Sequence, residues 1–489
     1  MNKSDHSVLP PLCVTNRVTG SIMKHRNIYV TYLLVIILGI SISHCWGVLT
    51  ITVGPGSSDD FHDLQSAIDS LADYTGTDTE AIIKLADSTY ENPSPYVINC
   101  GLMHVMKLTI ESAYGPGNCI LHGTYQTSDQ GLGTVFHVSG SPEKQIFIKN
   151  LSMISTIDDH PLYYQTATLQ ELRFEGCYLN YKKQAIEIEN GYGESTINIL
   201  DNHFAEILPI GIEQNKGGVH ITGNYEMDIA ILNNEFIDLI FPIFVNAYHH
   251  NTLISHNKFV APQNSSTDTS LWIDDLVNNP DSYMEISENE FINTGIDTNR
   301  VPGEIKGNVF FNSNPNHSSW IRCLDWNNNS ITQLAINDNI FYGTGVSTCV
   351  HAETHNNLHG SVHLSMKNNS FINVASAVQI DIDDDTTQNH ISSFRNNLLQ
   401  CTSNPMILNN LGTGNPDNPV SIDHCLFVNG YPADSSYFVV DTPSCPIEDP
   451  QINMDIDNRT YSLIWNNEAR SPLIMAGYGN EGLGSPYHA

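Results

Sequence analysis

The sequence predicts an all-β, single-domain solenoid: a right-handed parallel β-helix of about eleven coils with an N-terminal capping helix. Three observations predict it. First, ten segments between Phe174 and Phe427 repeat one pattern: apolar, two variable residues, Asn, one variable residue, apolar. The repeated Asn is Asn202, Asn234, Asn257, Asn289, Asn308, Asn339, Asn369 and Asn397, with Cys177 and Cys425 filling the first and last places. Second, successive pattern positions lie 19 (Asn289 to Asn308) to 32 (Asn202 to Asn234) residues apart. The mean step is about 28, inside the range of stacked repeats. Helical-pair repeats hold their length more tightly, whereas short stacked strands absorb insertions in their turns. Third, the repeats are rich in Ile, Phe and Val and punctuated by Asn, Asp and Gly, as short strands and sharp turns require. An antiparallel sandwich would not repeat one Asn-x-Phe unit.

The physics of the repeat is a ladder. Asn tolerates the left-handed backbone of a sharp bend, and its amide both donates and accepts, so one Asn can bond the coils above and below. The Phe two residues on points inward onto the next Phe. At strand spacing, ten coils make a rod of roughly 48 Å.

The elements follow in order. Residues 1–22 read as an upstream extension, with Met23 as the start. Residues 23–47 read as a signal peptide or membrane anchor: Lys24-His25-Arg26 precedes the apolar run Ile28 to Ile42 and the small residues Ser41 and Ser43. No charged residue appears from Ile28 to Ser58, which keeps the anchor open beside cleavage. Residues 48–140 form the N-terminal cap and first coils. Leu49 to Val53 is a strand. A helix is expected over Ser58 to Tyr74, with Ser57 or Ser58 as cap and Phe61, Leu64, Ile68 and Leu71 on its apolar face. A strand follows at Ala81 to Leu85, then a turn at Asp87 to Asn92. Residues 141–440 hold the repeats, which Phe147-Ile-Lys-Asn150-Leu-Ser-Met153 joins in a slightly different register. Residues 441–489 close the chain, with Pro443 to Asn458 leaving the stack before Tyr461-Ser-Leu-Ile.

Charge narrows the partners. The chain holds 20 basic and 53 acidic residues. Residues 48–489 retain 16 and 52 of these, a net charge of −36. Such a surface repels nucleic acid and anionic membranes, so a membrane enters only through the N-terminal segment. It suits a divalent cation such as Ca²⁺, though none is required, and acidity alone also keeps an extracellular rod soluble. Eight cysteines follow the signal. Cys323 with Cys349, and Cys401 with Cys425, lie about one coil apart and could staple neighbours, or the ladder thiols stay buried and free. There is no CxxC pair for zinc.

The Asn-x-Phe ladder, the opening Gln65-Ser-Ala-Ile-Asp69 with Leu85-Ala-Asp-Ser-Thr-Tyr90-Glu-Asn92, and the closing Ser471-Pro-Leu-Ile-Met-Ala-Gly477 together resemble exported bacterial parallel β-helix proteins of the pectin-lyase-like superfamily. The resemblance spans roughly residues 48–480. It implies a carbohydrate partner, a polysaccharide or cell-surface glycan, but the superfamily mixes lyases, hydrolases, esterases, tailspikes and adhesins. The polygalacturonase-like blocks are missing apart from Asp-Asp, and the methylesterase motifs downstream of the opening are not found. Two segments approach the pectate lyase Trp-Ile-Asp-His: Trp272-Ile-Asp274-Asp275 lacks the His and Ser421-Ile-Asp423-His424 lacks the Trp.

A lyase would need a basic residue for the C5 proton and a cation for the carboxylate. That singles out Arg395 with Asp381 and Asp383 as a catalytic set, and Asp381, Asp383 and Asp385 as a Ca²⁺ set within the acidic run Asp381 to Asp385; Arg322 is a second basic candidate. Asp158-Asp159-His160 is a candidate acid pair for a hydrolase. Trp272 and Trp320 are candidate sugar platforms. The expected function is an exported surface protein that binds carbohydrate as a scaffold or adhesin. The alternative is a polysaccharide lyase or glycoside hydrolase acting on an acidic polysaccharide in the groove of the helix.

Overall fold

A computed structural model describes residues 47–91, 94–123, 133–140, 143–157, 160–190, 193–206, 217–239, 241–248, 250–262, 270–275, 281–312, 319–325, 331–343, 348–354, 361–382, 391–410, 420–433, 438–447, 452–455 and 460–463. The N-terminal segment, Asp158, Asp159, Asp383 to Asp385 and Ser471 to Gly477 lie outside these residues. No helix among the described residues is long and apolar enough to cross a membrane.

The chain winds as the right-handed parallel β-helix that the repeat predicts. Each coil visits sheet A, sheet B and sheet C in turn, and the described residues give them 15, 13 and 12 strands. Every coil-to-coil pairing is parallel; the one antiparallel pair joins Ile452–Asp455 to Thr460–Leu463. Isoleucines of sheet A, phenylalanines of sheet B and alternating Ile and Val of sheet C fill one continuous core.

Two residues join sheet A to sheet B in each repeat, for example Asp201-Asn202 between Leu200 and His203. The fixed length of this turn makes the Asn-x-Phe motif regular. The other two connections absorb the variation in period. The ladder is in place. The amide nitrogen and Nδ2 of Asn202 donate to Asn234 Oδ1 at 2.8 and 3.0 Å, and the same pair of bonds repeats from Asn234 to Asn257 and onward. Nδ2 also donates back to the preceding coil, as from Asn234 to the Ile199 carbonyl at 2.8 Å.

One expectation is corrected. The left-handed residue is not the ladder Asn but the one before it: Asp201 (φ 56°), Asn233 (57°), Glu288 (56°), Asp338 (59°) and their equivalents, with Gly at 176 and 307. The ladder Asn must aim its amide along the stack, so the residue preceding it makes the bend. The Phe147 segment is offset for this reason: Asn150 (φ 55°) makes the bend and buried Leu151 follows it at the ladder position.

Inside sheet B the phenylalanines form one stack. Phe204, Phe236, Phe259, Phe291, Phe310, Phe341 and Phe371 are fully buried, with centroids 4.5–4.9 Å apart and planes within 13°. Phe310→Leu in mid-stack is expected to lower stability by about 1–2 kcal/mol, read by urea unfolding, because the volume lost is small but both ring contacts go.

The cap is shorter than expected. Helix α1 covers Leu64–Ser70, and its N-cap is Asp63, which accepts from Ser66 N at 2.7 Å. Ser57 and Ser58 cannot cap because the chain is still paired to the first strand, Val48–Val53. Phe61 N donates to Thr52 O, and Asp60 Oδ2 accepts from Thr52 N at 2.8 Å. Gln65 then acts as a strand in miniature. Its amide accepts from Val97 N at 2.8 Å and donates to Val97 O at 3.1 Å, covering the open edge of sheet C. Ser88–Glu91, expected as a turn, is the first strand of sheet B.

At the far end the stack runs further than the sequence suggested. Phe438–Val440 extends sheet A, Cys445 joins the ladder with its Sγ 3.3 Å from Cys425 N, and Ile447 pairs with Phe427. A Cys in the Asn place and four residues between Val440 and Cys445 hid this coil. All eight thiols are buried and free. The two expected staples do not match the register. Cys323 pairs with Ala352, not Cys349, and Cys401 sits in sheet B while Cys425 sits in the turn before it.

Candidate functional site

Strands of sheet C alternate, so every second residue faces outward. The register strings these outward residues into one column: Val97, His137, Tyr164, Glu187, His220, Phe244, Trp272, Asp297, Arg322, His351, Gln379 and Ile407. It has two zones. From His137 to Trp272 it is an aromatic track. His137 stacks on Tyr164 (5.4 Å), His220 meets Phe244 edge-on (4.6 Å) and Phe244 stacks on Trp272 (6.5 Å, 11°). Five coil steps from His137 to Trp272 span roughly 24 Å. The track holds no Lys or Arg. Burial lowers the pKa of both His137 and His220, so both imidazoles are neutral at pH 7. Burial, with Glu189 beside it, raises the pKa of the Glu187 carboxyl.

From Asp297 to His351 the face is ionic, and a second column runs beside the first: Asp274, Asn299, Leu324, Glu353 and Asp381. Arg322 Nη2 donates to Glu353 at 2.9 Å, and His351 Nε2 lies 2.8 Å from Asp381 Oδ2. Gln379 Nε2 donates to both oxygens of Asp381 at 3.0–3.1 Å.

The two zones meet at Asp274. Its carboxylate accepts from Arg300 Nε (3.2 Å) and Nη2 (2.7 Å), and both side chains are nearly enclosed, 11% and 14% exposed. Burial raises its pKa; Arg300 opposes the rise and neighbouring Asp275 adds to it. Asp275 is fully buried, and His250, also buried, lies 3.3 Å from the Asp274 carbonyl and 2.8 Å from Thr252 Oγ1. Arg300 holds a left-handed φ of 63°, a conformation that costs an L-residue about 1–2 kcal/mol. It sits in the three-residue link between Gly295–Asn299 and Gly303–Lys306, within the shortest coil. Two of its strands begin with a glycine pressed against the backbone of an adjacent coil. A Cβ on Gly295 would lie 2.3 Å from the Trp320 carbonyl, and one on Gly303 2.0 Å from the Met284 carbonyl.

The sequence-derived set does not assemble. Asp381 stands on sheet C, in Val378–Ile382. Arg395 is the last residue of Ile391–Arg395 on sheet A, about 13 Å along that strand, and is ion-paired with Asp423 of the next coil at 3.5 Å. Asp383 and Asp385 lie outside the described residues. Of the Ca²⁺ set only Asp381 is described. His351 Nε2 and Gln379 Nε2 face its carboxylate. Among the described residues no three His, Cys, Asp or Glu groups gather as a metal site. Trp320 is not a platform. It is fully buried against Phe310 and Phe341, 6.3 and 5.9 Å away. Trp272 does face outward, on the track. Of the acid pair Asp158-Asp159, neither residue is described.

Sequence reasoning reached Trp272, Asp274, Arg322 and Asp381 singly but missed His137, Tyr164, His220, Phe244, Asp297 and Arg300. The local signal was the alternation in Leu271-Trp-Ile-Asp274, which puts Trp272 and Asp274 on one face.

No family model and no curated protein matches the chain. Among solved structures, a rhamnogalacturonan lyase is similar at 10% sequence identity, over 90% of this chain and 96% of that one, with a TM-score of 0.29. At that score the site rests on its own residues.

Proposed function

We propose that this protein is an exported rod that binds an extended glycan along the outer face of sheet C, with uncharged sugar faces on the aromatic track. The observation that carries this reading is the register column His137, Tyr164, Glu187, His220, Phe244, Trp272: aromatic or imidazole rings on every coil but the one that holds Glu187, outward, without a cation. Sugar rings present apolar C–H faces, and flat side chains at regular intervals suit a chain polymer. An acidic polysaccharide would meet no Lys or Arg there.

Lyase chemistry is disfavoured by pairing. Arg300, Arg322 and Arg395 are each held by a carboxylate, at 2.7, 2.9 and 3.5 Å. A base that must approach a C5 proton would first have to leave its partner. Hydrolysis is the second reading, favoured by one observation: Asp274 is a carboxyl with a raised pKa beside the Trp272 platform, with Asp297 on the neighbouring strand, and such a group can serve as general acid.

The test uses residues 48–489 on neutral and acidic polysaccharides, following retention, new reducing ends and ultraviolet absorbance of a C=C bond. Retention on neutral chains is expected. Trp272→Ala should weaken it by about 2 kcal/mol, roughly thirtyfold, as loss of a central aromatic anchor does. Retention confined to acidic chains, or unchanged by Trp272→Ala, would refute the track. Reducing ends lost in Asp274→Asn would establish the hydrolase, and rising absorbance would restore the lyase.

A further inference from the structure

The ladder ends in sulfur. Asn397 Nδ2 points at Cys425 Sγ (4.0 Å), and the next place holds Cys445, whose Sγ accepts from Cys425 N at 3.3 Å. The two cysteines are twenty positions apart in sequence but occupy one column on adjacent coils, because Phe427 pairs with Ile447. Neighbouring coils lie about 4.8 Å apart. Cα atoms at that distance fall in the range a disulfide spans, about 4.4–6.8 Å. No other pair of cysteines shares a column on successive coils among the described residues: Cys323 faces Ala352, and Cys401 faces Val374.

We infer that Cys425 and Cys445 are a dithiol built to close as a disulfide, locking the last coil onto the stack. The closing coil needs such a lock. Among the described residues Phe438–Val440 pairs with one strand only, and Val439 and Ile447 are 53% and 47% exposed. A terminal coil with one neighbour opens first, and its opening admits an oxidant to thiols that are otherwise fully buried. The chemistry is asymmetric. Cys445 Sγ takes the Cys425 backbone N–H at 3.3 Å, and its proximity to Cys425 holds the Cys445 pKa below its usual value, while burial pushes Cys425 up; the Cys425 thiol itself reaches the Asp423 carbonyl at 3.3 Å. Cys445 is therefore the attacking thiolate. With a disulfide oxidant such as oxidised glutathione, Cys445 sulfur displaces one glutathione thiolate to give the mixed disulfide. Cys425, losing its proton, then attacks Cys445 sulfur and releases the second. Two protein thiols are oxidised and one glutathione disulfide becomes two glutathiones.

The experiment incubates residues 48–489 at fixed ratios of oxidised to reduced glutathione, then alkylates in denaturant and maps peptides without reduction. The expected result is one cross-linked peptide, Cys425 to Cys445, with the other six thiols alkylated, and a higher apparent Tm for the oxidised form. Cys425→Asn restores the residue that the column holds elsewhere, so this variant should fold and lose the redox dependence of Tm. Eight alkylated thiols both after native incubation and after refolding in the oxidising mixture would overturn the inference. So would a cross-link between any other pair. The outcome is independent of glycan binding, which the track alone carries.

Discussion

Asn308→Ala is expected to destabilise the protein by about 2–6 kcal/mol, because each of two buried donors left without a partner costs about 1–3 kcal/mol. Asn308 is fully buried near the middle of the ladder. Its Oδ1 accepts from both the amide nitrogen (2.9 Å) and Nδ2 (3.0 Å) of Asn289, and truncation strands both donors. Its own Nδ2 serves the Ile286 carbonyl at 2.8 Å and Asn339 Oδ1 at 3.0 Å, which lose a donor. Water cannot replace these bonds in a column enclosed by Ile and Phe. Asn308→Cys should cost less, since sulfur already holds this place at Cys177 and Cys425 and a thiol accepts weakly. Stacked repeats are coupled mainly through nearest neighbours, so the rung that breaks should also split the urea transition into two steps. Circular dichroism against urea reads both effects, and a single transition shifted by less than about 1 kcal/mol would mean that the ladder is not a cooperative column.

The ladder was legible in sequence because its turn never changes length. Two residues separate sheet A from sheet B in every repeat, so Asn and Phe recur at fixed offsets and the eye finds them. The aromatic track was illegible for the opposite reason. His220, Phe244, Trp272 and Asp297 are neighbours in register, yet insertions on both sides of sheet C put 24, 28 and 25 residues between them. Each strand contributes one residue to the track and the residue type changes from coil to coil, so no local motif marks it, and only the pairing of the strands aligns them.

Two smaller misreadings have the same root. The helix was read from Ser58 because Phe61, Leu64, Ile68 and Leu71 fit one helical face. Pairing of Phe61 with Val53 claimed the first of them for the strand side. Arg395 and Asp381 looked close along the chain, but they stand on different sheets, Arg395 at the far end of its strand. Closeness in sequence predicts contact within a helical turn, not across a corner of a solenoid.

Arg300→Met is expected to cost about 3–5 kcal/mol near neutral pH, since it leaves the nearly enclosed Asp274 carboxylate without its cation. The cost should depend on pH with a defined sign. In the native protein Asp274 already titrates above the ordinary aspartate value of 3.8, so the native state binds more protons than the unfolded chain between those two values. Stability therefore falls as pH rises through that window. Removing Arg300 removes the group that holds the pKa down, which extends the window to higher pH. The penalty should be largest at neutral pH and fade as the solution is acidified and the carboxyl takes up its proton. Asp274→Asn supplies the control, because a neutral amide keeps the shape without the charge. The double variant should recover most of what Arg300→Met lost, and a double-mutant cycle isolates the pair from the rest of the face. Methionine retains the left-handed φ of residue 300, so strain is common to both arms and cancels. A penalty that is flat from acid to neutral pH would show that Arg300 acts by packing, and would remove the electrostatic argument for Asp274 as a proton donor beside Trp272.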